Sequence, residues 1–173
     1  MARIGYVEKE NAPENVKAVY EQLEKMFGIV PNVLKSMANS TELFMGFMPF
    51  LGAALGPSKV DNATKELAIL TTSKLNGCGY CTAHHTGAGK RAGLTDEQIE
   101  ATPDENSSAL DDRQKAVVRF SKELAQNVAA SQESLDELRK YFDEGQIAEL
   151  NMVNGAFHVL TRFADTFKVE LEK

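Results

Sequence analysis

Along most of the chain, apolar residues recur every three or four positions, and short polar or glycine-containing breaks separate the runs. This is the pattern of amphipathic helices joined by tight turns. "PENVKAVYEQLEKMFG" opens on Pro13, which the first turn of a helix tolerates, and closes on Gly28. Ser40 or Thr41 caps "TELFMGFMPFLGAALG", which is apolar on most faces and so expected to be buried. Pro49 inside it is expected to bend or break the helix and to shape access to whatever lies beneath. Asp61 starts "DNATKELAILTTSKLNG", closed by Asn76 and Gly77. A further helix is predicted from about Gly79 to Gly93, and "LTDEQIEAT" predicts another, with Thr95 as N-cap and Gln98 in the capping-box position.

A polar loop over 102–110 leads to "DDRQKAVVRFSKELAQN", "SQESLDELRKYF" and a long final helix, "EGQIAELNMVNGAFHVLTRFADTFKVELEK". No segment alternates with the period of a strand, so the pattern predicts an all-α chain of about eight helices, one domain over 1–173. There is a weak internal echo: "KELAILTTSKLNG" resembles "QKAVVRFSKELAQ", and "LTDEQIEAT" resembles "DEGQIAELN". It points to a degenerate repeat of an α-hairpin unit whose second copy lacks cysteine.

At 173 residues the chain can bury a real core. Its formal net charge is −6 and its lysines and arginines form no basic block, which argues against nucleic acid or an anionic membrane surface as partner. The longest apolar patch, "LFMGFMPFLGAALG", is too short to span a bilayer, and "MARIGYVEKENAPENVKAVY" has no apolar stretch of signal-peptide length. A cytoplasmic location is expected. In a reducing compartment, two closely spaced cysteines serve catalysis or metal binding more often than a permanent cross-link.

Both cysteines and two of the three histidines fall in "LNGCGYCTAHHTGAGK". With a helix starting just after Asn76-Gly77, Cys81 falls in its first turn, where free N–H groups and the dipole stabilise a thiolate. The two-residue gap from Cys78 suits disulfide closure. His84 and His85 follow Cys81 by three and four positions, so each can share its face and take its proton. Glu66 shares a face of the upstream helix with Ile69, Leu70 and Ser73, and the turn folds it toward His85 in a proton-handling role. A c-type haem site needs histidine directly after the second cysteine, where this chain has Thr82. A zinc site would draw on Cys78, Cys81, one of His84 and His85, and His158 or Glu66 as fourth ligand. Adjacent histidines project about 100° apart on a helix, which disfavours their joining one small site. The redox dithiol is the leading reading, ahead of zinc and of inert buried thiols. Met26, Met37, Met45 and Met48 with Phe44, Phe47 and Phe50 are expected to pack the core or a subunit contact. His158, on a face with Asn151 and Asn154, is expected to be a structural hydrogen-bonded histidine.

Glu66, Cys78, Cys81 and His85 together resemble the Glu-x11-Cys-x-x-Cys-x3-His motif of the alkylhydroperoxidase D-like, peroxidase-related branch of the carboxymuconolactone decarboxylase superfamily. The resemblance runs from about Pro13 to Phe167. It implies an all-helical subunit, assembled as a homotrimer or homohexamer, that reduces hydroperoxides without metal, haem or flavin and is recharged by an external thiol, protein or small dithiol. By the same resemblance Cys81 is the peroxidatic thiolate, Cys78 the resolving thiol, and Glu66 with His85 the proton relay. Two positions depart from the family pattern: Tyr80 stands where well-characterised members have histidine, and Thr161 where they have asparagine. A phenol donates a hydrogen bond but is no base near neutral pH. The competing expectations are a zinc-stabilised or redox-sensing oligomer, and a lyase of the decarboxylase branch, which has no need of the cysteine pair.

Overall fold

The computed structural model describes residues 1–172, and the element on which the others pack is a helix over Asn62–Leu75. Ten of its fourteen residues are buried, Thr64 to Ser73 without a break, so it has no solvent face. In chain order the helices are α1 (Glu14–Phe27), α2 (Asn32–Met37), α3 (Thr41–Leu55), α4 (Asn62–Leu75), α5 (Gly79–Arg91), α6 (Asp96–Ala101), α7 (Asp112–Asn127), α8 (Gln132–Leu138) and α9 (Glu144–Phe167). A 3-10 turn over Lys9–Asn11 precedes α1. There is no strand among the described residues, so the all-α expectation holds.

Packing of α4 against α5, α7 and α9 organises two hydrophobic clusters. One gathers Val16, Tyr20, Phe44, Ile69 and the second half of α9 around Cys78, Tyr80 and Cys81. The other joins Leu67 and Leu70 of α4 to Ile99, Val117, Phe120, Leu138 and the start of α9. The helix starts follow local chemistry. Asp61 accepts from the Thr64 N–H, and Thr95 with Gln98 forms the capping box expected from the sequence. Asp111 with Gln114 and Asp143 with Gln146 form two more.

Three expectations need correction. The short α2 has no periodic signature in six residues and was not anticipated; it stands on Val33, Leu34 and Ser36, all buried. α3 is not broken at Pro49 but runs through it, because Phe44 on one side and Leu51 and Ala54 on the other hold both turns against the core. The final helix stops at Phe167 instead of continuing toward the end of the chain. Lys168 takes a left-handed conformation (φ 48°), its N–H returning to the Ala164 and Asp165 carbonyls, and Val169 turns inward to be buried. Residues 169–172 then run as an extended strap past α2, where the Glu170 carbonyl accepts from the Asn32 side chain.

Burial on all sides obliges α4 to pair its polar side chains. The Thr72 hydroxyl donates to Asn154 of α9 at 2.6 Å, and the Lys65 ammonium meets both the Gly56 carbonyl and Glu149 of α9 at 2.8 Å. Burial pushes the Glu149 carboxyl up, but Lys65 and Ser58 outweigh it and hold it below its ordinary value of 4.5. Asp61 behaves alike: burial is outweighed by Arg113 and Thr64, which hold it below 3.8. Carboxyls depressed in the folded state leave the unfolded chain to take up protons first as pH falls, so their stabilisation is complete above the unfolded values and fades below them. Thermal melts across pH are therefore expected to show stability flat above about pH 5 and falling below about 4. Glu149→Gln is expected to flatten that acid limb and to cost about 3 kcal/mol at neutral pH, since it leaves the Lys65 charge buried.

Candidate functional site

The site begins with the turn between α4 and α5. Asn76 ends α4, Gly77 takes φ 70°, and the Cys78 N–H returns to the Ser73 carbonyl at 2.9 Å, reversing the chain. Cys78 becomes the N-cap of α5, its sulfur accepting from the Cys81 N–H at 3.2 Å. Both cysteines are buried free thiols. The sequence placed the helix-end stabilisation on Cys81; the structure gives it to Cys78, because the cap position and not the first turn receives the free N–H groups. Cys78 is accordingly held below the ordinary thiol value, first by the hydrogen bond from the Cys81 thiol and then, against burial, by the Cys81 and Tyr80 N–H groups. Cys81, as donor to Cys78 and buried, is pushed well above it. Of the two sulfurs, Cys78 is therefore the one on which negative charge is favoured.

The reversal lays α5 along α4 and brings His85 Nδ1 to 2.7 Å from Glu66 Oε2. Glu66 thus reaches His85 as the helix geometry predicted. With Nδ1–H donated to the carboxylate, Nε2 is the basic nitrogen. Phe157 of α9 stands edge-on to the imidazole at 4.6 Å between ring centres and fixes its plane. His84, which sequence alone left with no assigned partner, lies with Nε2 at 2.8 Å from Glu172 Oε2 of the terminal strap. Tyr80 packs against His84 at 4.5 Å between ring centres with the planes tilted 49°, and its hydroxyl donates to Glu172 Oε1 at 2.7 Å. Burial, then that hydrogen bond, push the phenol's pKa far up, so it stays a donor.

Cys81, Glu66, His84 and His85 line one side of a cavity of about 1010 Å³, faced by Met45, Met48, Pro49 and Leu55 among others. Cys78 is not among the lining residues. His158 sits apart, its Nδ1 paired with the Asn76 side chain at 3.2 Å, and Asn76 also donates to Thr161 at 2.8 Å. Burial, then Arg162, lower the His158 pKa, which keeps the ring neutral as an acceptor. His158 and Thr161 thus brace the turn that carries Cys78, which is the structural use expected of His158. No three of the chain's His, Cys, Asp and Glu residues converge as metal ligands among the described residues, so the zinc reading lacks its ligand set. Sequence reasoning missed Glu172, which is 92 positions from Tyr80 and carries no local signal.

A helical fold with a buried Cys-x-x-Cys at a helix start and a Glu–His pair from the neighbouring helix is the arrangement that the alkylhydroperoxidase D-like resemblance implies. Residues 41–123, just under half of the chain, match the carboxymuconolactone decarboxylase family, and the resemblance drawn from the motif is borne out. The uncharacterized protein YdfG of Bacillus subtilis (strain 168) is 27% identical over 101 residues, which are 56% of this chain and 67% of that protein. An uncharacterized peroxidase-related protein with an alkylhydroperoxidase AhpD core, from Ralstonia eutropha JMP134, superposes with a TM-score of 0.86 at 19% identity, covering 99% of this chain and 93% of that one. The debrominase Bmp8 in its apo form superposes with a TM-score of 0.83 at 20% identity, over 96% and 90% of the two chains. A cysteine-to-alanine variant of Bmp8 has been captured with 2,3,4-tribromopyrrole.

The shared proton makes a prediction. Cys81→Ala removes the strongest support of the Cys78 thiolate, so the pKa of Cys78, followed by thiolate absorbance, is expected to rise toward the ordinary value of 9.0. An unchanged titration would place the support elsewhere.

Proposed function

We propose that the chain is a thiol-dependent peroxidase, or more generally a disulfide oxidoreductase, that reduces hydroperoxides through Cys81 and Cys78. The observation that carries this reading is that Cys81, His85 and Glu66 line one cavity while Cys78 lies immediately behind, hydrogen-bonded to Cys81. His85 Nε2 takes the Cys81 proton, with Glu66 holding the ring's other nitrogen. The Cys81 sulfur attacks the terminal peroxide oxygen, the O–O bond breaks, and the alkoxide leaves as alcohol after taking up a proton. Cys81 is now a sulfenic acid. Cys78 attacks it, the S–O bond breaks, water leaves and a disulfide remains. The acidity of Cys78 suits this second step, which needs a thiolate one turn from the oxidised sulfur. An external thiol reductant, a protein or a small dithiol, then restores the pair. Assembly as a homotrimer or homohexamer belongs to the same proposal; exposed Leu43, Met152 and Val159 offer apolar surface for it.

A second reading is favoured by the size and apolar wall of the cavity, which exceed what a small peroxide needs, and by the fold shared with a debrominase. The same dithiol would remove bromine from a brominated aromatic: Cys81 takes the halogen, the ring carbon takes a proton, and Cys78 displaces bromide as the disulfide closes. One substrate molecule would yield one disulfide, one bromide and the debrominated ring.

One equivalent of hydroperoxide is expected to consume both thiols of the protein. Cys81→Ser is expected to abolish peroxide consumption, whereas Cys78→Ser should complete one turnover and stop at a sulfenic acid trappable by dimedone. Glu66→Gln or His85→Asn is expected to slow the oxidation about a hundredfold. Wild-type turnover by Cys81→Ser would sink the proposal. Bromide release from a brominated pyrrole without peroxide turnover would favour the second reading.

A further inference from the structure

Cys81 has two histidines one turn away on α5, and each meets a carboxylate brought in from another element. His85 takes Glu66 from α4, and His84 takes Glu172 from the terminal strap. The second couple is built with some care. Glu172 Oε1 accepts from the Asn32 N–H at 2.6 Å and from the Tyr80 hydroxyl at 2.7 Å, which leaves Oε2 aimed at His84. Val33 N–H donates to the Tyr80 oxygen at 3.3 Å, so the phenol is held from both sides. Burial raises the Glu172 carboxyl, but the Asn32 N–H and the Tyr80 hydroxyl outweigh it and keep it ionised. The strap itself is anchored: Val169 is buried, the Glu170 carbonyl accepts from Asn32 Nδ2, and the Glu170 N–H donates to the Tyr6 hydroxyl at 3.1 Å. Glu172 also borders a second, polar cleft of about 620 Å³, so it stands as a wall between that cleft and His84.

The contact of His84 with Glu172 is short yet out of line for a hydrogen bond, and Nε2 has no other partner. Glu172 Oε2 therefore stands against Nε2 and fixes the ring's position, and Nδ1 is the nitrogen left to exchange a proton. His84 lines the cavity beside Cys81. The peroxide step needs two proton transfers, one away from Cys81 and one toward the leaving oxygen, and a single imidazole serves only one at a time.

We propose that His84 is the proton donor to the leaving oxygen and that Glu172 is its positioning residue, with Tyr80 as the brace that fixes the carboxylate. The proposal rests on the peroxidase reading above and divides its proton traffic. His85 with Glu66 receives the proton of Cys81. His84 with Glu172 supplies one to the alkoxide as the O–O bond breaks, and regains it from solvent. In this chain the residue before the second cysteine is thus no proton carrier but a strut for one displaced by a turn of helix.

The test uses leaving groups of different basicity. An alkoxide must be protonated as it departs, whereas a peroxy acid releases a carboxylate that needs no proton near neutral pH. With tert-butyl hydroperoxide, Glu172→Gln and His84→Gln are each expected to lower kcat about tenfold or more with KM little changed. With 3-chloroperoxybenzoic acid the same variants are expected to stay near wild type. The double variant should be no slower than His84→Gln alone, because Glu172 acts through His84. Tyr80→Phe, which keeps the ring and removes only the brace, should fall between wild type and Glu172→Gln. Equal losses with both oxidants, or additive losses in the double variant, would overturn the proposal, as would wild-type kcat in Glu172→Gln. Cys81→Ser, assayed alongside, separates the two claims: if it stays active the peroxidase reading falls, and if it is dead while the Glu172 and His84 variants are unaffected only the second couple falls.

Discussion

A helix with no solvent face is under pressure to pair the polar side chains it carries, and α4 pairs all its buried ones but Ser73. Lys65 meets Glu149, Thr72 meets Asn154, and Glu66 meets His85, so three of its polar residues are each spoken for by a neighbouring element. Two of these pairs lock α9 to α4, and the third locks α5. The Glu66–His85 contact is therefore structural as well as the basis of the proposed proton relay. The burial that would make a lone carboxylate costly is what fixes it, within hydrogen-bond reach, against the imidazole beside Cys81. No helix among the described residues is long and apolar enough to cross a membrane.

Electrostatics and access select different sulfurs. The helix end and the Cys81 thiol favour negative charge on Cys78, while the cavity reaches Cys81. In a one-thiol enzyme that separation would be a defect. In the two-step dithiol reaction proposed above, it would divide the steps: the reachable sulfur to meet substrate with help from a base, the more acidic one to attack the sulfenic acid.

How much of this was legible in the sequence follows from the range of the interactions. Helix starts were readable because caps act over three residues, as at Asp61 and at Thr95 with Gln98. Glu66, Cys78, Cys81 and His85 were readable because one tight turn at Asn76-Gly77 determines how two adjacent helices face each other. Glu172 was not, since its place depends on Lys168 turning left-handed, which is rewarded only by distant contacts: the burial of Val169 and the bonds of Glu170 and Glu172 to Asn32, Tyr6 and Tyr80. The start of α5 at Gly79 was readable too, but not that Cys78, as its cap, is the sulfur that accepts the Cys81 N–H. The passage of α3 through Pro49 likewise depends on Phe44, Leu51 and Ala54, whose partners lie far along the chain.

At the far end of α5 from the thiols, Gly89 presses its backbone so closely on Leu94, Leu70 and Ile99 that an added methyl would come within 3.2 Å of the first of them. The helix thus begins in one hydrophobic cluster and is clamped at Gly89 against the other, about 15 Å further on at 1.5 Å per residue. It behaves as a beam built in at one support. Whatever rearrangement the sulfurs undergo in a reaction cycle must be absorbed within the first turn and the Asn76-Gly77 hinge before it, because the opposite end has no slack to give.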